Sequence, residues 1–202
     1  MKIVININRT YFMKLSFVQT LCNRENFLFY KNFHLAFITL FFSSTVFCQV
    51  ELDSYGLRSG LYASRGYVDF HQTELYINWS LPMDYAINDE YTIKNKLEFT
   101  IGRLAATGEE AFITSFGGKF LLEKKDFPVT FAFASVPTFI SRYKFPRRNL
   151  GTKLQFITSF GLEFKITKSF EVSYRFQHMS NASLSRNNPG LNLSMFSFGY
   201  RF

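Results

Sequence analysis

Three polar side chains near the carboxyl terminus, His178, Ser180 and Asn192, have the types and spacing of an acyl-transfer site. An imidazole beside a hydroxyl can take its proton as the oxygen attacks a carbonyl, and a third polar group can hold the ring. The stretch that carries them, QHMSNASLSRNNPGLN from Gln177 to Asn192, also has a blander reading. It would serve as a solvated hairpin with Asn188-Pro189-Gly190 as its turn. No metal-ligand spacing, glycine-rich phosphate loop or internal repeat competes with it elsewhere in the chain.

Whether the three side chains meet depends on the elements that carry them, and these read as β-strands. His178 follows Phe170, Val172, Tyr174 and Phe176 at a spacing of two, and Ser180 continues the series. Asn192 shares its parity with Phe196, Phe198 and Tyr200. A period of two puts each series on one face of its strand. The cluster therefore lies on an aromatic face, where an imidazole needs a reason.

The same alternation runs through the chain after Gln49. Leu154, Phe156, Phe160, Leu162, Phe164 and Ile166 share a face that only Thr158 interrupts, opposite Lys153, Gln155, Ser159, Gly161, Glu163 and Lys165. Leu75 to Leu81, Tyr91 to Ile101, Phe170 to Phe176 and Phe196 to Phe202 alternate likewise. Weaker segments near Tyr55–Ser64, Ala111–Leu122 and Pro128–Val136 bring the expected number of strands to eight. Aromatic residues are 19% of the chain, yet the mean hydropathy is −0.02, so apolar area is interleaved with polar residues. After Cys48 no run approaches the roughly 20 apolar residues of a membrane helix. Aromatic faces opposite faces carrying both signs of charge suit an inverted barrel, with Phe, Leu and Tyr toward lipid and Glu, Lys, Arg and Ser filling a small lumen. The fold class expected is all-β, an eight-stranded antiparallel transmembrane β-barrel. A secreted sandwich or lipocalin-like barrel is the alternative.

The apolar run His34–Cys48 reads as the core of a signal peptide. Lys31 precedes it, Leu35 to Phe42 form its apolar region, and Val46-Phe47-Cys48 stands where cleavage before Gln49 would fall. The expected organisation is a leader over 1–48 and a barrel over 49–202, with a later translation start, as at Met13, as the alternative for the long segment before Lys31. A lipoprotein with Cys48 acylated is the weaker reading, because bulky Phe47 precedes it. Cleavage removes both cysteines. It also removes a net charge of +4, from Lys2, Arg9, Lys14, Arg24 and Lys31 against Glu25, and so leaves +4 of the chain's +8. Half the basic excess is thus targeting charge, and with no nucleic-acid motif present a nucleic-acid role loses most of its support.

Connection lengths fit a barrel with both termini on one side. Thr167-Lys168-Ser169 and Glu123–Phe127 are short, and Pro137–Gly151 and Met179–Gly190 are long. Short turns belong to the periplasmic side and long loops to the outside. Pro82–Glu90 is longer than a periplasmic turn should be. Arg142, Lys144, Arg147 and Arg148 crowd one outer loop, where arginine forks suit phosphate oxygens. An ordinary solvated basic loop explains them equally well.

As a group, His178-Met179-Ser180-Asn181-Ala182, Asn188-Pro189-Gly190 and a final aromatic strand ending in Phe202 resemble the PagL family of lipid A deacylases. The resemblance implies an eight-stranded barrel of the bacterial outer membrane. It also implies cofactor-free hydrolysis of the ester-linked acyl chain at the 3-position of lipid A. His178 would be the base and Ser180 the nucleophile. Asn181 and neighbouring backbone N–H groups would be oxyanion donors. Lipid A or lipopolysaccharide would be the partner, with a homodimer left open. The motif covers only the last quarter of the chain. The family's acid, usually Glu, falls where this chain has Asn192, and no Asp or Glu follows Glu171. Glu171 itself should face the lumen. The rival function is a non-catalytic barrel that binds lipopolysaccharide or a partner through its loops. A pore is disfavoured because side chains fill an eight-stranded lumen.

Overall fold

The computed structural model describes residues 50–63 and 69–202, and the expected leader lies outside them. Eight long strands make up the described chain: β1 (Glu51–Tyr62), β2 (Phe70–Ser80), β3 (Tyr91–Ala106), β4 (Glu109–Lys124), β5 (Val129–Ile140), β6 (Leu154–Lys165), β7 (Phe170–Ser180) and β8 (Leu191–Arg201). Each pairs antiparallel with its neighbours in sequence. β8 pairs back onto β1, from Ser54↔Arg201 to Tyr62↔Leu193, and so closes the barrel. Closure leaves no sheet edge, which is what lipid demands of a spanning sheet. No described helix is long and apolar enough to cross a membrane.

The expected parity holds. On β6 the even positions are exposed or half-buried from Leu154 to Phe164, while Gln155, Ile157, Ser159 and Gly161 are buried. Exposed Leu57, Leu75, Phe116, Phe120, Phe131, Phe133, Phe160, Phe196 and Phe198 coat the outer wall. An aromatic cluster of Tyr55, Phe170, Phe198, Tyr200 and Phe202 gathers at the end where the chain terminates, with ring centroids 5.4–5.8 Å apart. It suits the aromatic girdle of an outer-membrane barrel.

The lumen differs from expectation in one respect. Its middle is charged, as the polar faces foretold. Arg58 reaches Glu74 at 2.6 Å and Glu98 at 2.9 Å, and Arg175 reaches the same two carboxylates at 3.0 and 2.9 Å. Lys119 bridges Glu98 at 3.6 Å and Glu163 at 2.5 Å. Such charges persist out of water only when paired like this. Glu171 faces inward beside Arg201, at 3.5 Å. The end away from the termini is apolar instead. Phe70, Leu104, Ile113, Ile140, Met179, Leu191, Leu193 and Met195 pack there beneath Phe145 and Leu150 of the β5–β6 loop. The inward positions of β7 and β8 turn from charged to apolar in their outer thirds, and the loop brings its own apolar side chains to cover them.

Loop lengths also shift. β3 and β4 run 16 residues each and meet in a two-residue turn, Thr107-Gly108, with φ of +51° and +78°. Two positive φ values suit the right-handed strand twist. β5 continues to Ile140, through Pro137. Proline has no N–H to donate, and the β4–β5 ladder lapses between Ser115↔Thr138 and Lys119↔Ala134. The long β2–β3 connection is real, and its Tyr85–Ala86 adds a short rung onto Thr92 and Ile93.

Candidate active site

β7 and β8 run side by side with His178 directly opposite Asn192. The His178 Nδ1 and Asn192 Oδ1 atoms lie 2.6 Å apart, on the outward wall two residues from the end of β7. When Nδ1–H donates to that oxygen, Nε2 carries the lone pair a general base needs. Ser180 ends β7 with the same parity as His178 and is half-buried opposite Phe156. No hydrogen bond joins Ser180 to His178 among the described residues, where the ring pairs with Asn192.

The loop after Ser180 is built as tightly as the strands. Ala182 and Ser183 have φ of +48° and +65°, and the Leu184 N–H donates to the Asn181 carbonyl at 2.9 Å. Two positive φ values inside a closed four-residue turn define a type I′ turn. Non-glycine residues in this region are strained by about 1–3 kcal/mol each, and such strain clusters at functional sites.

Asn181 sits differently from the sequence expectation. Its side chain is buried, and Nδ2 donates to the Leu150 carbonyl at 2.9 Å and the Asn187 carbonyl at 2.6 Å. Its own N–H donates to Asn188 Oδ1 at 3.0 Å. All three of its donors are engaged in holding the loop. The basic cluster also divides. Arg142 pairs with Glu109, and Arg148 donates to the Pro189 and Gly190 carbonyls at 3.2 and 2.6 Å. Lys144 and Arg147 remain exposed, at the tip of a hairpin in which Lys144 and Phe145 pair with Asn149 and Arg148.

Two features escaped the sequence reading. Gly190, read only as part of a turn, has φ +63°, and a Cβ there would lie 2.6 Å from His178 Cε1. Its backbone therefore backs the imidazole ring. The second is a row of small or polar side chains across the wall, flanked by large ones in register, which together outline a furrow. Asn192, His178, Thr158 and Ser135 follow one another from β8 to β5, with Ser135 and Thr158 hydroxyls 3.1 Å apart. The same register carried across the lapse in the β4–β5 ladder sets Gly118 opposite Ser135. Phe176, Phe160, Phe133 and Phe120 line one side of this row, and Phe156 and Pro137 the other. Thr158 as the lone polar interruption of an aromatic face was the visible signal.

A closed barrel with an aromatic outer wall and an outward polar cluster near one rim defines an outer-membrane β-barrel with its candidate chemistry facing lipid. The chain matches the family model "Lipid A 3-O-deacylase (PagL)" over residues 64–201 and belongs to that family, whose place is the bacterial outer membrane. It is similar to the lipid A deacylase PagL of Bordetella bronchiseptica, 34% identical over 65 residues that make up 32% of this chain and 36% of the relative. The aligned stretch thus spans about a third of that relative's length. The crystal structure of the outer membrane enzyme PagL superposes with a TM-score of 0.62 at 16% identity, covering 72% of this chain and 97% of that one, which establishes the shared fold.

Proposed function

We propose that this protein removes an ester-linked acyl chain from lipid A at the outer leaflet, by a Ser–His mechanism. The observation that carries the reading is the 2.6 Å pair of His178 and Asn192 on the lipid-facing wall, with Ser180 on the same face of the same strand. An imidazole on a membrane-facing wall is costly, and ionisable groups kept at such positions mark functional sites. Ser180 Oγ attacks the acyl carbonyl while His178 Nε2 takes its proton. Backbone N–H groups of the turn that follows Ser180, those of Ala182 and Ser183, are candidates to receive the developing oxyanion. His178 then protonates the sugar oxygen as it leaves, and water, activated by the same ring, releases the fatty acid.

The furrow supports the same reading. Strands lie about 4.8 Å apart, so the row from His178 to Gly118 spans roughly 14 Å. His178 is two residues from the outer end of its strand, Thr158 four, Ser135 five and Gly118 nine, so the row descends toward the hydrocarbon core. An acyl chain whose ester sits at His178 could follow it between the phenylalanines. The exposed Lys144 and Arg147 suit a phosphorylated headgroup at the rim.

The test is mass spectrometry of lipid A from cells carrying the protein, its Ser180→Ala variant or its His178→Ala variant. The expected result is loss of one acyl chain with the unaltered protein and none with either variant. Full acylation in all three strains would favour the non-catalytic barrel, for which the neutral Asn192 already speaks.

A further inference from the structure

We propose that Arg148 is a positioning residue for His178, acting through the backbone of Gly190, and not a ligand for lipid phosphate. The inference rests on the reading of His178 as the base. Arg148 lies on the β5–β6 loop, 42 residues before Gly190, yet one nitrogen, Nη2, donates to both the Pro189 and the Gly190 carbonyls, at 3.2 and 2.6 Å. Gly190 in turn has its backbone against the imidazole, since a Cβ there would stand 2.6 Å from Cε1, 3.4 Å from Nε2 and 3.6 Å from Nδ1. The ring is thus held at its Nδ1 edge by Asn192 and backed at Cε1 by Gly190, with Arg148 holding Gly190 in place.

The anchor at the other end of this chain of contacts is firm. Phe145 and Leu150, on either side of Arg148, are buried in the apolar outer third of the lumen, and the Leu150 carbonyl accepts from Asn181 at 2.9 Å. Gly151 approaches the Asn187 carbonyl so closely that a Cβ there would stand 2.1 Å from it. Two loops on either side of β6 and β7 are therefore stitched at three points beside the site. Arg148 is the stitch nearest the ring. It makes no ion pair with a described carboxylate, so its charge-assisted bonds go to neutral carbonyls, and these are stronger than bonds from an uncharged donor. A base misplaced by an ångström loses turnover more than affinity.

The experiment uses the purified full barrel in detergent and short-chain and lipid A esters, the latter with and without phosphate groups. Arg148→Ala should lower kcat on the order of ten- to a hundredfold with little change in KM. The factor should be the same on phosphorylated and dephosphorylated substrate. Arg148→Lys should recover part of the loss, and added guanidinium ion should restore part of it to the alanine variant. Gly190→Ala, which drives a methyl group into the ring, should show the same fall in kcat. Nitrogen-15 spectra of His178 give a readout independent of turnover. Both alanine variants should shift or broaden its ring signals while keeping the heat-modifiable gel mobility of a closed barrel. A rise in KM confined to phosphorylated substrate would overturn the proposal in favour of a phosphate ligand. Unchanged ring signals in Arg148→Ala would overturn it outright. If instead the unaltered barrel hydrolyses none of these esters, the functional reading fails, and the ring signals still decide whether Arg148 holds His178.

Discussion

An amide and a carboxylate hold an imidazole differently, and the ring of His178 meets the amide of Asn192. A carboxylate can only accept, so it enforces the tautomer with Nδ1–H and leaves Nε2 free as base. An amide can rotate by 180° and donate instead, which would turn Nε2 into a donor and idle the ring. It also lacks the charge that, in the proposed mechanism, would favour imidazolium as Ser180 gives up its proton. In serine proteases Asp to Asn at the orienting position costs about 10⁴ in turnover, roughly 5.5 kcal/mol. The penalty here should be smaller at a lipid–water interface with partial solvation. Asn192→Glu should therefore raise the initial rate on lipid A by more than about tenfold, roughly 1.4 kcal/mol. Asn192→Asp, which keeps the side-chain length behind the 2.6 Å contact, should do at least as well. Ser180→Ala sets the zero. A level or falling rate in both variants would mean that Asn192 does not orient the base.

At the scale of the element, β6 and β5 place small hydroxyl residues where their neighbours carry phenylalanine. Thr158 and Ser135 satisfy each other at 3.1 Å, so the floor of the furrow presents little unpaired polarity to lipid. Filling the floor should block a long acyl chain before it disturbs the ester end. Thr158→Phe is therefore expected to raise KM for long-chain esters several-fold more than for short-chain ones. Equal effects across a chain-length series would remove the furrow from the substrate path. The outward direction of this position protects the fold from the change, because the ring would face lipid like Phe160 and Phe156 on the same strand.

For the whole molecule, the paired charges of the lumen are where loss of one partner should cost most. Glu98 accepts from Arg58 and Arg175 and lies 3.6 Å from Lys119, so one carboxylate serves two buried cations and the partly buried Arg175. Removing its charge leaves those cations underbalanced in a space with little water, a change that costs about 3–5 kcal/mol when one partner of a buried pair is lost. Glu98→Gln should lower the urea midpoint of the refolded barrel accordingly, followed by the heat-modifiable shift on gels. A midpoint equal to that of the unaltered protein would show that water screens the lumen and that the ion pairs contribute little.

What the sequence determined by itself was local and periodic. Alternation at a spacing of two, read on Leu154 to Ile166 or Phe170 to Phe176, decides which side chains face outward. It also places His178, Ser180 and Asn192 on the outer wall before any pairing is known. The aromatic outer face with charges of both signs inside decides the barrel class. Only the tertiary structure decided what depends on register and loop path. It sets His178 opposite Asn192, brings Arg148 onto Gly190, commits Asn181 to the loop and lines up Thr158 with Ser135 and Gly118. The apolar outer third of the lumen and the Thr107-Gly108 hairpin belong to the same group. A period tells which face a residue takes but not its height against a neighbouring strand, and contacts between residues 31 or 42 apart depend on the whole course of the chain between them.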